Sequence, residues 1–441
     1  MQYVPNVLFA ILLIIGIGYF TRNIGRLRRN ILLGKSAEVN DNKPQRWKNM
    51  ARIALGQTKM VVRPIPGILH IIVYVGFVII NIEVLEIIID GLLGTHRVFS
   101  GLGKLYNFLI GSFEILALLV IIAVVVFWVR RNVIRLKRFL KPEMTGWPKK
   151  DGNLILYIEV VLMVLFLTMN AADFQLQQLG SEHYIKAGAF PVSGVIAALF
   201  QGISEANLII VERAAWWLHI SGILFFLNYL YYSKHLHILL AFPNTYYGKL
   251  TAKGHFKNLE AVTNEVKLMM DPSADPFAAP AEDAPIPEKF GASDVKDLDW
   301  VQLLNAYTCT ECGRCTSECP ANQTGKKLSP RKIMMDTRDR LEEVGKNIDA
   351  NKGVFKEDGK QLLDDYITRE ELWACTSCNA CVEACPVSID PLSIIMDMRQ
   401  YLVMEQSAAP ADLNNMMGNI ENNGAPWPFN QMDRLNWSQE S

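Results

Sequence analysis

The chain has 441 residues, half of them hydrophobic, and its 44 Lys and Arg are balanced by 44 Asp and Glu. Zero net charge with no basic tail excludes binding to nucleic acid through charge, and so apolar a composition is unusual for a purely soluble protein of this length. The apolar content is concentrated in residues 1–255, whereas all eight cysteines lie between 309 and 385, so the two parts are read separately.

Five stretches have the roughly 20 apolar residues needed to cross a bilayer: 4–20, 67–89, 106–129, 153–171 and 214–240. The first is a span and not a cleaved signal, since its leading residues carry no positive charge and the basic "TRNIGRLRRN" follows it. A sixth piece, 190–202, is short and contains Pro191 and Gly194, which predicts a re-entrant or interfacial segment. Lys and Arg number 11 in residues 22–63 and 8 in 130–150, against 2 in 91–104 and 1 in 174–211. By the positive-inside rule the N-terminus is outside a bacterial cytoplasmic (inner) membrane, and the fifth span delivers the cysteine-rich part to the cytoplasm. That reducing compartment favours free thiolates over disulfides.

Ionisable residues inside spans are costly and therefore functional candidates. His70 stands near the inner end of the second span; His219, His235 and His237 belong to the fifth, "AAWWLHISGILFFLNYLYYSKHLHILLAFPN". Imidazoles on facing helices can hold haem b. On one continuous helix His219 lies about 24–27 Å above the other two and shares a face with His237, so the expected inner pair is His70 with His237, or with His235. His219 is then placed for a second haem or a quinone on the outer side, and "SKHLH" without haem is the structural alternative. Glu83, Glu86, Glu114 and Glu159 also enter spans. Glu83 and Glu86 read as solvated charges at a helix end, with proton transfer to quinol as the alternative.

Between 270 and 289 the chain is rich in Pro, Ala and acidic residues without periodicity, which predicts an extended linker. Beyond it, "CTECGRCTSECP" and "CTSCNACVEACP" repeat the spacing C-x2-C-x2-C-x3-C-P. Three thiolates at this spacing wrap one [4Fe-4S] cubane while the fourth, turned away by its proline, reaches the other. The expected sets are crossed: Cys309, Cys312, Cys315 with Cys385, and Cys375, Cys378, Cys381 with Cys319. Zinc is the alternative, but four ligands do not explain the third step and the C-P ending in both copies. Gly313 and Asn379 occupy equivalent positions and suit left-handed turns. Each motif leads into a helix opened by a capping residue and a proline, Ser329-Pro330 and Asp390-Pro391, with 345–360 read as a polar insertion between the repeats.

From "SKHLHI" through "LDWVQLLNAYTCTECGRCTSECP" the chain resembles a nitrate-reductase gamma-subunit-like cytochrome b domain fused to a heterodisulfide-reductase-type dicluster ferredoxin, as in membrane-bound electron-transfer-flavoprotein:menaquinone oxidoreductases. The resemblance implies electron transfer between a flavoprotein or other dehydrogenase and menaquinone, and a cytochrome role for His70, His219 and His237. Position 60 is Met where the gamma subunit supplies a second histidine, so it implies one inner haem. Such relatives continue into CCG domains; here a separate CCG-domain iron–sulfur protein is the expected partner, docked on Trp427, Phe429 and Trp437 of the tail. The expected architecture is all-α: a five-span transmembrane helical bundle (1–255, cytochrome b-like), a linker (256–297), an α-helical 2x[4Fe-4S] ferredoxin domain (298–404) and a tail (405–441). The expected function is that of a quinone-linked oxidoreductase subunit. A lactate, glycerol-phosphate or thiol-disulfide donor, or a haem-free anchor for a ferredoxin complex, are the alternatives.

Overall fold

Five helices in the computed structural model are long and apolar enough to cross a membrane: Val4–Ile31, Pro64–Leu93, Lys104–Asn132, Trp147–Leu179 and Glu205–Tyr232. The structure describes residues 3–37, 39, 41–256, 258–273 and 289–439; residues 274–288 of the Pro-, Ala- and acid-rich stretch 270–289 lie outside these. The chain is all-α. Among the described residues the extended pairing amounts to two isolated bridges, Lys35 with Asp299 and Leu363 with Ile367.

With 28 to 33 residues each, the spans reach about 42–50 Å and overrun the roughly 30 Å hydrocarbon layer. Proline opens the first, second and fourth, where a missing N–H costs nothing, and left-handed Gly94 and Gly180 close the second and fourth. Small residues let the helices approach: a Cβ on Gly76 would stand 2.6 Å from Val120 Cγ2, and one on Gly222 2.7 Å from Leu162 Cδ2. Phe9, Ile110, Ala117, Phe166 and Ile220 fill the interior, while Ile14, Phe108 and Phe225 point outward into the apolar surroundings.

Most span boundaries differ from the sequence reading, the fourth span running over Trp147–Leu179 and the fifth beginning at Glu205, and two of the differences have a visible cause. The first helix does not end at residue 20 but continues through "TRNIGRLRRN", because this stretch packs on the cysteine-rich half: Asn30 Nδ2 donates to Tyr307 Oη at 3.0 Å and Arg29 pairs with Asp349. The fifth stops at Tyr232, for a reason given below. Segment 190–202 does not cross; it forms a short helix, Ser193–Ile196, followed by a 3-10 turn. The Glu114 carboxylate caps it, accepting from Val192 N (2.9 Å) and Ser193 N (3.1 Å).

The cysteine-rich half is built on helices Trp300–Thr308, Pro330–Ala350 and Pro391–Met404. Their shared core includes Leu303, Ile333, Leu341, Val344, Ile395, Met398 and Leu402, and also takes in Ala292 and Val295. The two repeat helices start alike: Ser329 Oγ accepts from Lys332 N and Asp390 Oδ1 from Ser393 N. The polar insertion begins later than expected. Gly345 is inside the first repeat helix, at a point where Asn30 occupies the space a side chain would need.

The halves are joined by backbone as well as side chains. Lys35 N donates to Leu298 O at 2.8 Å and Trp300 N to Lys35 O at 3.1 Å. This approach leaves no room beside Gly34, where a Cβ would lie 2.7 Å from Trp300 N and 2.8 Å from Leu298 O. Gly34→Ala is therefore expected to cost about 1–3 kcal/mol. Gly25→Ala, in open space on the same first helix, should be neutral or stabilising by up to about 1 kcal/mol. Thermal unfolding of both variants in detergent checks the contrast.

Candidate redox centre

Both cysteine loops turn at left-handed residues. Gly313 (φ 71°) and Asn379 (φ 59°) start the helical turns Arg314–Glu318 and Ala380–Ala384. The sequence reading missed the second such position in each loop: Glu311 (φ 52°) and Ser377 (φ 55°), between the first two cysteines, are left-handed as well. Neither residue type announces this, and the repeated geometry is the signal that the two copies fold alike.

The two short turns pack against each other, which crosses the motifs. Cys315 is within electrostatic reach of Cys312, Cys309, Cys385 and also Cys381. Cys375 is near Cys319 and Cys378, and Cys381 is near Cys375 and Cys319. Cys385 is thus drawn to the first motif and Cys319 to the second. Backbone N–H groups are aimed at sulfur: Ser377 N to Cys375 Sγ at 3.4 Å, and Ile389 N to Cys385 Sγ at 3.3 Å. Burial pushes the thiols of Cys309 and Cys381 up to about 12 and that of Cys385 to about 11. Thiolates there need a bound cation to stay ionised, which suits a metal cluster. Among the described residues no three His, Cys, Asp or Glu converge on a single ion; a cubane, unlike one ion, sits between ligands that stay apart.

The surroundings of the two motifs differ. The first, together with Cys385 at the end of the second, faces the membrane half: Lys59 Nζ donates to Cys385 O at 3.2 Å, and Arg314 donates to Lys59 O (2.9 Å), Met60 O (3.2 Å) and Met60 Sδ (3.0 Å). Arg138 and Arg314 both feel Cys312. The second is more open, with Cys378 exposed, and has Arg399 donating to Cys375 O at 2.5 Å.

His70, His235 and His237 come together at the foot of the bundle. The rings of His70 and His237 are 6.3 Å apart, centre to centre, and those of His235 and His237 5.4 Å. His237 Nδ1 is hydrogen-bonded to Lys234 O at 3.1 Å, leaving Nε2 available. His70 Nδ1 is buried with no partner among the described residues. His235 Nε2 lies 3.6 Å from Glu159 Oε1. The shared face expected of His219 and His237 does not exist, because the helix breaks at Ser233. Asp151 of the fourth span causes the break, accepting from Tyr229 Oη (2.5 Å), Ser233 Oγ (2.7 Å) and Lys234 N (3.2 Å) and drawing that backbone out of helical geometry. The helix resumes as His237–Tyr246. His219 stays in the fifth span, buried against Phe166, with Nδ1 3.0 Å from Leu162 O.

At the opposite end is a cavity of about 470 Å³, lined by Glu83, Glu86, His96, Arg97, Trp216 and Trp217 among others. Glu83 and Glu86 are 3% and 4% exposed, not solvated helix-end charges as expected. They lie inside the bundle because Arg97, Tyr106 and the Phe99 amide fold back over them: Tyr106 Oη donates to Glu86 Oε2 at 2.8 Å and Phe99 N to Glu86 Oε1 at 2.8 Å. Glu83 Oε2 is buried without a partner among the described residues.

Residues 308–389 match the family model described as a 4Fe-4S dicluster domain. The probable iron-sulfur-binding oxidoreductase FadF of Bacillus subtilis is 28% identical over 93% of this chain and 57% of its own. The EtfAB:quinone oxidoreductase of Syntrophomonas wolfei is 27% identical over 91% of this chain and 55% of its own. A probable membrane-anchored ferredoxin of Chromohalobacter salexigens is 32% identical over 36% of this chain and 25% of its own. The chain thus spans a little over half the length of the first two relatives. No solved structure matches it. The chain is related to iron–sulfur oxidoreductases and to a membrane-anchored ferredoxin, and the segment matching the 4Fe-4S dicluster domain contains both cysteine motifs.

Asp151→Ala should release the break at Ser233 and leave three donors unpaired. The expected loss is about 3–5 kcal/mol, read as the midpoint of thermal unfolding in detergent, with Asp151→Asn losing less.

Proposed function

We propose that the chain is the electron-transfer subunit of a membrane oxidoreductase, working between a cytoplasmic flavoprotein or CCG-domain partner and the membrane quinone pool. The observation that carries this reading is the reach of Arg314, which is close enough to act electrostatically on Cys312, Cys385 and His70 at once. The first cysteine motif therefore lies next to the histidine group of the bundle.

In this reading Cys309, Cys312, Cys315 and Cys385 hold one [4Fe-4S] cluster, and Cys375, Cys378, Cys381 and Cys319 the other. The neighbourhoods of Cys315, Cys375 and Cys381 support that partition. Haem b suits His70 and His237: two imidazoles bonded to one metal at about 2 Å each hold their ring centres roughly 6 Å apart, against 6.3 Å here. The bond from His237 Nδ1 to Lys234 O fixes the ring as an outer-shell partner would. When bound, these groups exchange single electrons, and the protein's part is to hold them in line and keep water from the path.

His219 has no second histidine beside it and stands one helical turn from Trp216, which lines the far cavity. We assign that cavity to the quinone, with Glu83 and Glu86 as proton carriers and the Trp216 and Trp217 indoles as walls. The exposed Trp427, Phe429 and Trp437 of the tail suit a docking partner. The basic loops at the end bearing the cysteine-rich half support a cytoplasmic position for that half.

Cys312→Ser and Cys319→Ser should each remove one of two cluster signals in electron paramagnetic resonance, and not the same one. His70→Ala and His237→Ala should abolish b-type absorbance in a pyridine haemochrome assay, while His235→Ala keeps it. A wild-type protein with both cluster signals and no haem would make the bundle a plain anchor.

A further inference from the structure

A groove of about 440 Å³ opens between the second and third spans, at the end of the bundle that carries the cysteine motifs. Arg63, Arg130, Lys137 and Arg138 line it together with Val62 and Ile65, and no acidic residue does. Arg63 is engaged elsewhere, donating to Ser317 Oγ at 2.9 Å and Glu318 Oε1 at 2.7 Å. Arg130, Lys137 and Arg138 have no acidic group within ion-pair distance among the described residues. Nε of Arg138 is buried with no hydrogen-bond partner.

Like charges gathered in a half-closed groove repel, and a guanidinium N–H buried without an acceptor is costly. The thiols of the first motif answer only one flank of Arg138, through Cys312. Arg130 and Lys137 line the groove with it, beside Val62 and Ile65. The groove's apolar wall is open to the surroundings, with Val62 76% and Ile65 59% exposed, and Val133 and Ile134, in the chain between the lining residues Arg130 and Leu136, are exposed at 63% and 59%. A cationic floor with a greasy flank, at the level where a span leaves the hydrocarbon, matches a phosphodiester with its acyl chains attached.

We infer that this groove binds the headgroup of an anionic phospholipid, the phosphate seated on Arg130, Lys137 and Arg138 and the chains lying along Ile65 and Ile134. The lipid fills the seam between the second span and the basic loop after the third, where the cysteine-rich half leans on both. This inference rests on the membrane reading and not on haem or on a particular donor.

The test uses the full-length protein in phosphatidylcholine nanodiscs, titrated with phosphatidylglycerol and followed by native mass spectrometry and thermal unfolding. Phosphatidylglycerol should bind and raise the unfolding midpoint, and R130Q/K137Q should bind it about 30-fold more weakly, given the two cations removed. K149Q/K150Q, the same charge change outside the groove, should behave as wild type. Iron content and haem absorbance of R130Q/K137Q should be unchanged, which separates failure here from failure of the redox assignment. Equal binding of phosphatidylcholine and phosphatidylglycerol, equal losses in both double variants, or full stabilisation by inorganic phosphate alone would overturn the proposal.

Discussion

Glu311 ties the two halves of the molecule together. It sits between the first two cysteines of the first motif, and its carboxylate meets Lys234, just past the end of the fifth span, and Arg338 of the first repeat helix, at 2.9 Å. All three are largely buried. Burial alone would raise the Glu311 carboxyl, yet the two cations hold it below the usual carboxylate range. Removing any member leaves a buried charge uncompensated, which is far more costly than losing a surface pair. The first cysteine loop is thereby fixed in register beneath the spans, at a point where Lys234 is itself held by Asp151. A second lock lies beside it: fully buried Arg331 donates to Glu143 Oε1 at 2.7 Å and to Arg138 O at 2.8 Å.

These contacts give the basic loops a second role. The excess of Lys and Arg that indicates orientation also grips the cysteine-rich half, through Arg29 on Asp349, Lys59 on the Cys385 carbonyl and Arg63 on Glu318. The first motif consequently stands among cations, while the second, near Arg399, is more open. A cluster surrounded by positive charge is easier to reduce, so under the proposed ligand sets the cluster nearer the bundle would be the more easily reduced of the two. At the far end the logic is different. There Arg97 is buried with Asp173, Asn170 and Tyr106, holding Oδ2 of Asp173 at 2.6 Å, and the carboxylates around it line a cavity. Charge holds the structure together at one end and lines a cavity at the other.

What was legible in the sequence is what local chemistry dictates. The cysteine spacing, the left-handed Gly313 and Asn379, the Ser329 and Asp390 caps and the apolar spans all appear in the structure where residue type alone would put them. What was not legible depends on partners far away in the chain. The fifth span breaks because of Asp151, about eighty residues upstream. The first span is lengthened by Asp349 and Tyr307, and Gly345 serves inside the Pro330–Ala350 helix as the bare position against which Asn30 packs. Glu83 and Glu86 look like helix-end charges until Arg97, in the next loop, folds over them. The histidines follow the same rule: His70 lies beside His237, but through a restarted helix and not along one face.

The central claim is that the first cysteine motif carries its cluster within reach of a haem held by His70 and His237. Its most direct test is the spin relaxation of the oxidised haem signal in the full-length protein, with the clusters selectively reduced. The account predicts faster relaxation when the cluster of the first motif is paramagnetic, an enhancement lost in Cys385→Ser and kept in Cys378→Ser. A haem signal that relaxes at the same rate whatever the state of that cluster, or whose enhancement follows Cys378 instead, would contradict it.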